Sequence, residues 1–382
     1  KVLKSEGWLL AFNYCFGGKG MLFGGGKNSV GLDISSDTVK VVKLKKSGNS
    51  IMLARLGLEK IAPEPLDEDA VGAKHELTVK AIKTMLYNNG IDAKKTCTSV
   101  SGNSVVVRYI KLPHMSETEL RDVIRFEAEE HIPFDIEHVI IDFQIIKEVI
   151  EKDERMILVL LVAAKEELVY DHMEILQRSG LETTHINVDT FSIEDALVAN
   201  GKEEEVVALV DIGARMTNIN VVENKCSCFN RDILVGGNDF TEAIKRELGV
   251  NFLEAEQIKE AEGVIVPGEE MTTGVYSERI SHVSYAIESV GARLLDELER
   301  SFAYYYTQLP VYRKNIDRVL LSGGTAKLKN LDEFLASGLG IPVVIADPFV
   351  NLRIAPKVNV NLIKKYGPAF TVAIGLALRG LK

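Results

Sequence analysis

Two short segments carry the residue types best suited to chemistry. Val207-Ala-Leu-Val-Asp211-Ile-Gly213 is an apolar run ending in an acid and a glycine, with Thr217 just beyond. Val30-Gly-Leu-Asp33-Ile-Ser35 repeats the pattern near the start, with Ser35 standing where the second segment has glycine. Glycine after a strand-end acid lets backbone N–H groups approach phosphate oxygens with no Cβ in the way. The acid can meanwhile hold Mg²⁺ through water, the usual way this cation sits beside phosphates. Two such turns facing one another would clamp a triphosphate between two domains. Asp211, Gly213 and Thr217 fit that role well, and Asp33 with Ser35 fits it less well. Alone, such a turn is weak evidence, because plain hairpins carry it too. The duplication and the later glycine pairs Gly236-Gly237 and Gly323-Gly324 add weight.

Competing chemistries fail on spacing. Leu321-Ser-Gly-Gly-Thr325 looks like the signature motif of transporter ATPases, but that reading needs a P-loop. Gly26-Lys27 is followed by Asn28 rather than Ser or Thr. A glycine pair after a buried strand would instead lie against an adenine ring. Glu127 and His131 stand four apart, so the Glu-x-x-His spacing of di-iron bundles is absent. No H-E-x-x-H and no G-x-S-x-G elbow occurs. The histidines read as surface or satisfied core residues. Cys15, Cys97, Cys226 and Cys228 form no C-x-x-C pair and no zinc spacing, and read as reduced thiols.

The elements that must position these residues follow from periodicity. Val30 to Ile34 and Thr38 to Leu44 form a hairpin, and Leu77 to Asn89 has helical spacing closed by Gly90. Thr98 to Leu112 reads as two strands around the turn Ser101-Gly-Asn-Ser104. Ser116 with Glu119 makes a capping box for a helix to about His131, stopped by Pro133. Val139 to Val149 and Met156 to Ala163 are strands around the charged turn Glu151 to Arg155, and the whole looks like an inserted subdomain. Lys165 to Ser179 is an amphipathic helix, followed by a strand at Thr184 to Val188 and a helix from Ser192. At Val206 the chain begins again, with a second hairpin to Val222. Helices then follow at Phe240 to Leu248, near Glu254, and from Tyr276 to about Leu309. The strand Val319 to Ser322 precedes helices at Lys329 to Leu339 and Pro368 to Arg379.

Composition sets the outer bounds. The chain has 382 residues, which at roughly 150 per domain gives two or three domains. Its 45 Lys+Arg against 55 Asp+Glu give a net charge of −10, which argues against a surface for nucleic acid. The longest apolar run, Ile157 to Ala164, is far short of the roughly 20 residues of a membrane-spanning helix. Residues 1–20 read as an over-extended reading frame with translation starting at Met21, and are set aside for the fold.

These residues together resemble the actin-like ATPase superfamily. Within it, the chain is similar to the PilM family of type IV pilus assembly, related to the division protein FtsA. The most specific stretch is Val105-Val-Val-Arg-Tyr-Ile-Lys-Leu-Pro113, continuing through Met115 to Leu120 and Glu127 to Phe134. The resemblance implies an α/β, actin-like (duplicated RNase H-like) two-domain fold with an inserted α+β subdomain. Its parts would be an N-terminal extension at 1–28, subdomain 1A at 29–112, 165–205 and 365–382, and the insert 1C at 113–164. Subdomain 2A would take 206–238 and 301–364, and 2B would take 239–300.

By the same resemblance the cofactors are ATP and Mg²⁺. Asp33, Ser35 and Ser36 would form the first phosphate turn and Asp211, Gly213 and Thr217 the second, with Asp33 and Asp211 at the metal. Asp189 would face the γ-phosphate water. Gly236, Gly237 and Asn238 would border the ribose and phosphates, Glu256 and Lys259 the adenosine, and Gly323, Gly324 and Thr325 the base. The family's partner is the cytoplasmic N-terminal tail of PilN, held as an extended peptide between the insert and the first subdomain. Other inner-membrane platform and motor proteins would join it, and self-association stays open. The implied place is cytoplasmic, peripheral at the inner membrane through that partner, in the machinery of twitching motility. The implied role is an ATP-binding scaffold and at most a weak ATPase. An FtsA-like filament former and a sugar-kinase-like enzyme are the alternatives.

Overall fold

The structure, a computed structural model, describes residues 27–65, 71–151, 153–198, 205–266, 277–308 and 315–382. The leading segment read as an over-extended frame lies outside the described residues, apart from Lys27 and Asn28 of the 1–28 extension. β1 (Asn28–Ile34) and β2 (Thr38–Ser47) form the first hairpin, with Asp33 directly opposite Lys40. β3 (Ser50–Lys60) extends it antiparallel; its sequence lacks clean alternation, and it has no counterpart among the sequence expectations. After α1 (Val71–Asn88), β4 (Lys95–Val100) joins β1 in parallel, β8 (Glu182–Val188) joins β4, and β14 (Leu352–Ile354) flanks β3. The sheet order is β14-β3-β2-β1-β4-β8.

The second sheet repeats this plan. β9 (Val206–Ile212), β10 (Thr217–Glu223) and β11 (Cys226–Ile233) run antiparallel, while β12 (Arg318–Ser322) and β13 (Val343–Ile345) continue in parallel from β9. Its order, β11-β10-β9-β12-β13, matches β3-β2-β1-β4-β8 strand for strand. The acids Asp33 and Asp211 therefore occupy equivalent strand ends.

Between β4 and β8 the chain leaves the first sheet. β5 (Val105–Pro113), β6 (Val139–Glu151) and β7 (Glu154–Lys165) form a three-stranded sheet with β7 in the middle, and α2 (Glu117–Glu129) connects β5 to β6. The capping box is present: the Glu119 N–H donates to Ser116 Oγ, and the Ser116 N–H donates to Glu119 Oε2. Thr98 to Leu112 does hold two strands, but they are not a hairpin. β4 stays in the first sheet and β5 enters the third, so the Ser101–Ser104 turn is a junction. One face of the small sheet packs on α2 through Leu120, Ile124 and Ala128. The other packs on α3 (Glu166–Arg178) and Phe191 of α4 (Asp189–Leu197).

The C-terminal helix Thr371–Arg379 is buried almost all round, which explains an apolar run that does not span a membrane. A Cβ on Gly375 would lie 1.7 Å from the Ser192 carbonyl oxygen, so glycine is what lets this helix reach α4. Val372 and Leu376 then join Ile193, Leu209 and Leu320 in a cluster drawn from both large sheets. Among the described residues, no helix is long and apolar enough to cross a membrane. Cys97 and Cys228 are free and buried, whereas Cys226 is not a free thiol, so the reading of reduced thiols fails there. Cys15 lies outside the described residues.

Candidate functional site

The first hairpin carries a buried ion pair at its tip. Lys40 Nζ lies 2.9 Å from Asp33 Oδ2 and donates to Ser35 Oγ at 2.6 Å, while Ser35 Oγ donates to Asp33 Oδ1 at 2.8 Å. The second hairpin keeps the acid and replaces the cation, since Asp211 stands opposite Asn218. Ser322 Oγ donates to Asp211 Oδ1 at 2.6 Å from the end of β12. Lys40 escaped the sequence reading, which saw Thr38 to Leu44 as plain alternation. Its signal is a lysine inside an apolar strand at the same seven-residue offset that separates Asp211 from Asn218.

A third carboxylate joins them at the start of α4. Asp189 accepts from Ser99 Oγ at 2.5 Å. Burial raises its carboxyl to about 7, the charge of Asp33 adds to this, and hydrogen bonds from Ser101 and Ser99 oppose it. Burial likewise raises Asp211 to about 6, against the Ser322 hydrogen bond. Behind them, His172 Nε2 lies 2.7 Å from Thr98 Oγ1, and that hydroxyl donates to Leu32 O at 3.0 Å. The imidazole therefore carries its proton on Nε2, and burial lowers its pKa to about 4, so it is a satisfied core histidine.

The raised Asp189 carboxyl gives a pH signature. The folded state holds this proton more tightly than the unfolded chain. The stability it contributes is complete below about pH 4 and is lost as pH rises through about 7. Relative to wild type, Asp189→Asn is expected to gain stability between pH 4 and 7, at a slope of up to about 1.4 kcal/mol per pH unit. Calorimetric melting of both proteins across that range checks it, and a pH-independent difference would refute it.

The second turn is tied to a glycine loop. The Gly237 N–H donates to Gly213 O and the Asn238 N–H to Ala214 O, each at 2.8 Å. A Cβ on Gly236 would meet Ala214 O at 2.6 Å. The loop opens α5 (Gly237–Leu248), and α6 (Phe252–Glu262) packs beside it. Lys259 Nζ lies 2.7 Å from Glu256 and donates to Gly237 O at 2.9 Å and Thr241 Oγ1 at 2.7 Å. Burial would raise the Glu256 carboxyl, but the Lys259 charge and hydrogen bond outweigh it and hold it low. Gly323 has φ +89° and a would-be Cβ only 2.4 Å from Ile212 O, so glycine is required there. Gly324 faces open space, and the Thr325 N–H donates to Ile212 O at 3.2 Å.

The structure thus gathers Asp211, Gly213, Gly236, Gly237, Asn238, Glu256, Lys259, Gly323, Gly324 and Thr325 on one side of a cleft. Asp33, Ser35 and the half-buried Ser36 belong to the other turn, joined to that side by the Asn238–Asp37 hydrogen bond, and the charges of Asp33 and Asp211 both act on Asp189. Thr217 behaves differently from the expectation. It is fully buried and donates its hydroxyl to Val235 O at 2.7 Å, so it braces the glycine loop from behind. Among the described residues, no group of three or more His, Cys, Asp or Glu is placed to hold a metal unaided. The donor set still fits Mg²⁺, which uses one or two carboxylates plus phosphate oxygens and water. Asp33 is already bonded to Lys40, so Asp211 is the better placed of the two. Past Asp189 lies a polar cavity of about 290 Å³, lined by Ser101, Asn103, Arg108, Thr190, Asn218 and Asp232.

Known proteins resemble the chain in sequence and in fold. The family model described as type IV pilus assembly protein PilM matches residues 31–381. The cell division protein FtsA of Bacillus subtilis (strain 168) is 24% identical over 256 residues, 61% of this chain and 58% of its own length. The chain therefore spans little over half of that relative. A structure of a PilM-PilN type IV pilus biogenesis complex superposes with a TM-score of 0.79 at 29% identity, covering 93% of this chain and 98% of that one. The ethanolamine utilization protein EutJ from Carboxydothermus hydrogenoformans shares the fold at a TM-score of 0.53 and 14% identity, covering 92% of this chain and 89% of its own.

Proposed function

The chain belongs to the type IV pilus assembly protein PilM family, and from that premise we propose that it is an actin-like, ATP-binding scaffold that holds the tail of a PilN-like membrane protein. The observation that carries the nucleotide half is the facing of two duplicated hairpin turns. The charge of Asp33 raises both Asp189 and Asp211, and that of Asp211 raises Asp189, which puts the three carboxylates in one neighbourhood. Bound between the turns, Mg-ATP would have its metal beside Asp211 and its phosphates on the backbone of Gly213 and Gly237. Its base would lie near Gly324 and Thr325, with Glu256 and Lys259 beside the ribose. The Mg²⁺ ion supplies positive charge to the phosphates when bound. Asp189, titrating near neutrality, would orient the attacking water in any slow hydrolysis. We keep the division into subdomains 1A, 1C, 2A and 2B as part of this proposal.

The partner half rests on the seam between the third sheet and α3. β6 is an edge strand, so its outer backbone groups are open to an added strand. Ile140 and Ile146 of β6 with Leu168 and Met173 of α3 line the seam as half-buried apolar side chains. An extended peptide would take backbone bonds from the edge and side-chain pockets from the seam. Held there, the protein would work on the cytoplasmic face of the inner membrane without crossing it. A synthetic PilN-tail peptide is expected to bind the wild type and to lose at least about tenfold in affinity on Leu168→Asp, the cost of a charge in a peptide pocket. Undiminished binding by calorimetry would take the partner site away from this seam.

A further inference from the structure

Asp37 lies two residues beyond Ser35, in the turn between β1 and β2. Its Oδ2 accepts from Asn238 Nδ2 at 2.9 Å. Asn238 belongs to the opposite side of the cleft, at the first turn of α5. The bond therefore runs directly from one phosphate turn to the other. Asp37 Oδ1 is buried and finds no hydrogen-bond partner among the described residues. A buried carboxylate oxygen without a partner is costly, and the cost is removed when a cation or a donor arrives.

Charge points the same way. Asp33, Asp37 and Asp211 stand at the cleft beside the partly protonated Asp189, while Lys40 is committed to Asp33 and Ser35 and Lys60 acts on Glu256. Lys259 is matched by Glu256. A free nucleotide entering between the turns brings several negative charges against this excess. Asp37 is singled out among them because one of its oxygens joins the two turns and the other has no partner.

We propose that Asp37 is a specificity-determining residue, which makes the site select the magnesium–nucleotide complex against free nucleotide, and that its bond to Asn238 clasps the cleft shut. This rests on the nucleotide-site reading above. The cation that arrives with the phosphates offsets the Asp37 charge, and its water shell supplies the donor that Oδ1 lacks. The free polyanion does neither. Asn238 contributes the closing contact and no charge, so the two residues have separable effects.

The test measures ATP affinity of the full chain by calorimetry, once with excess Mg²⁺ and once with EDTA. Asp37→Asn keeps an acceptor for Asn238 and removes the charge. It is expected to bind metal-free ATP about tenfold or more tighter than wild type does, the worth of one nearby charge at intermediate dielectric. Asp37→Ser is expected to move the same way, which guards against a folding defect in either variant. Asn238→Ala is expected to weaken both forms of ATP by a similar factor. Metal-free affinity unchanged in both Asp37 variants, or a wild type indifferent to Mg²⁺, would overturn the inference and leave the nucleotide site standing. A wild type that binds no ATP under either condition would overturn the reading beneath it.

Discussion

Replacing Asp211 with alanine is expected to abolish Mg-ATP binding, a loss of at least about a hundredfold. Of the four carboxylates at the cleft, Asp37 is bonded to Asn238 and two of the other three are compromised as cation ligands. Asp33 is bonded to Lys40, and burial keeps Asp189 partly protonated up to about pH 7. Asp211 titrates near 6, so above neutrality it carries a charge with no lysine bonded to it. At about 4 Å and an effective dielectric near 20, one such charge is worth about 4 kcal/mol to a cation, more than the hundredfold claimed. The variant should fold, because removing a buried charge offsets the acceptor that the buried Ser322 hydroxyl loses. Calorimetric titration with Mg-ATP decides the matter, and unchanged affinity would remove this cleft as the nucleotide site. Ser322→Ala serves as the companion. It deletes the hydrogen bond that holds the carboxyl down, so binding should weaken most in the pH range just above 6.

What could be read ahead of the structure was local or duplicated. Asp33 and Asp211 announced themselves because each ends an apolar run, and a repeat doubles a weak signal. The Ser116–Glu119 box lies within one helical turn and came through intact. The contacts that define the cleft are of another kind. Asn238 and Asp37 are 201 residues apart in sequence, and Ser322 and Asp211 are 111 apart. No periodicity marks such partners. β3 and β11 were invisible for a related reason: each is a third strand whose pattern is set by what covers it rather than by alternation. Thr217 shows the opposite failure. Its position in the turn suggested a ligand contact, yet the Val235 carbonyl claims its hydroxyl. Gly375 carries no signal in the sequence either, yet it is the point at which two helices touch.

Lys40→Met should be among the most destabilising single changes in the molecule, although methionine nearly preserves the length of the lysine side chain. Lys40 and Asp33 side chains are 9% and 4% exposed, and the ammonium bonds both Asp33 and Ser35. Without it, the carboxylate stays buried at a strand end with only the Ser35 hydroxyl to satisfy it. Breaking a buried pair from one side typically costs roughly 3–5 kcal/mol, a large share of the roughly 5–15 kcal/mol that holds a domain together. The loss comes from the orphaned charge rather than from missing packing, and a second substitution separates the two. Asp33→Asn in the Lys40→Met background removes the charge and keeps the shape, so most of the stability should return. Urea denaturation of the single and double variants reads this out. If the double variant is no more stable than Lys40→Met alone, the lysine was packing against the hairpin and not balancing its acid. If both are as stable as wild type, the pair contributes no stability and Lys40 stands at the cleft for its ligand alone.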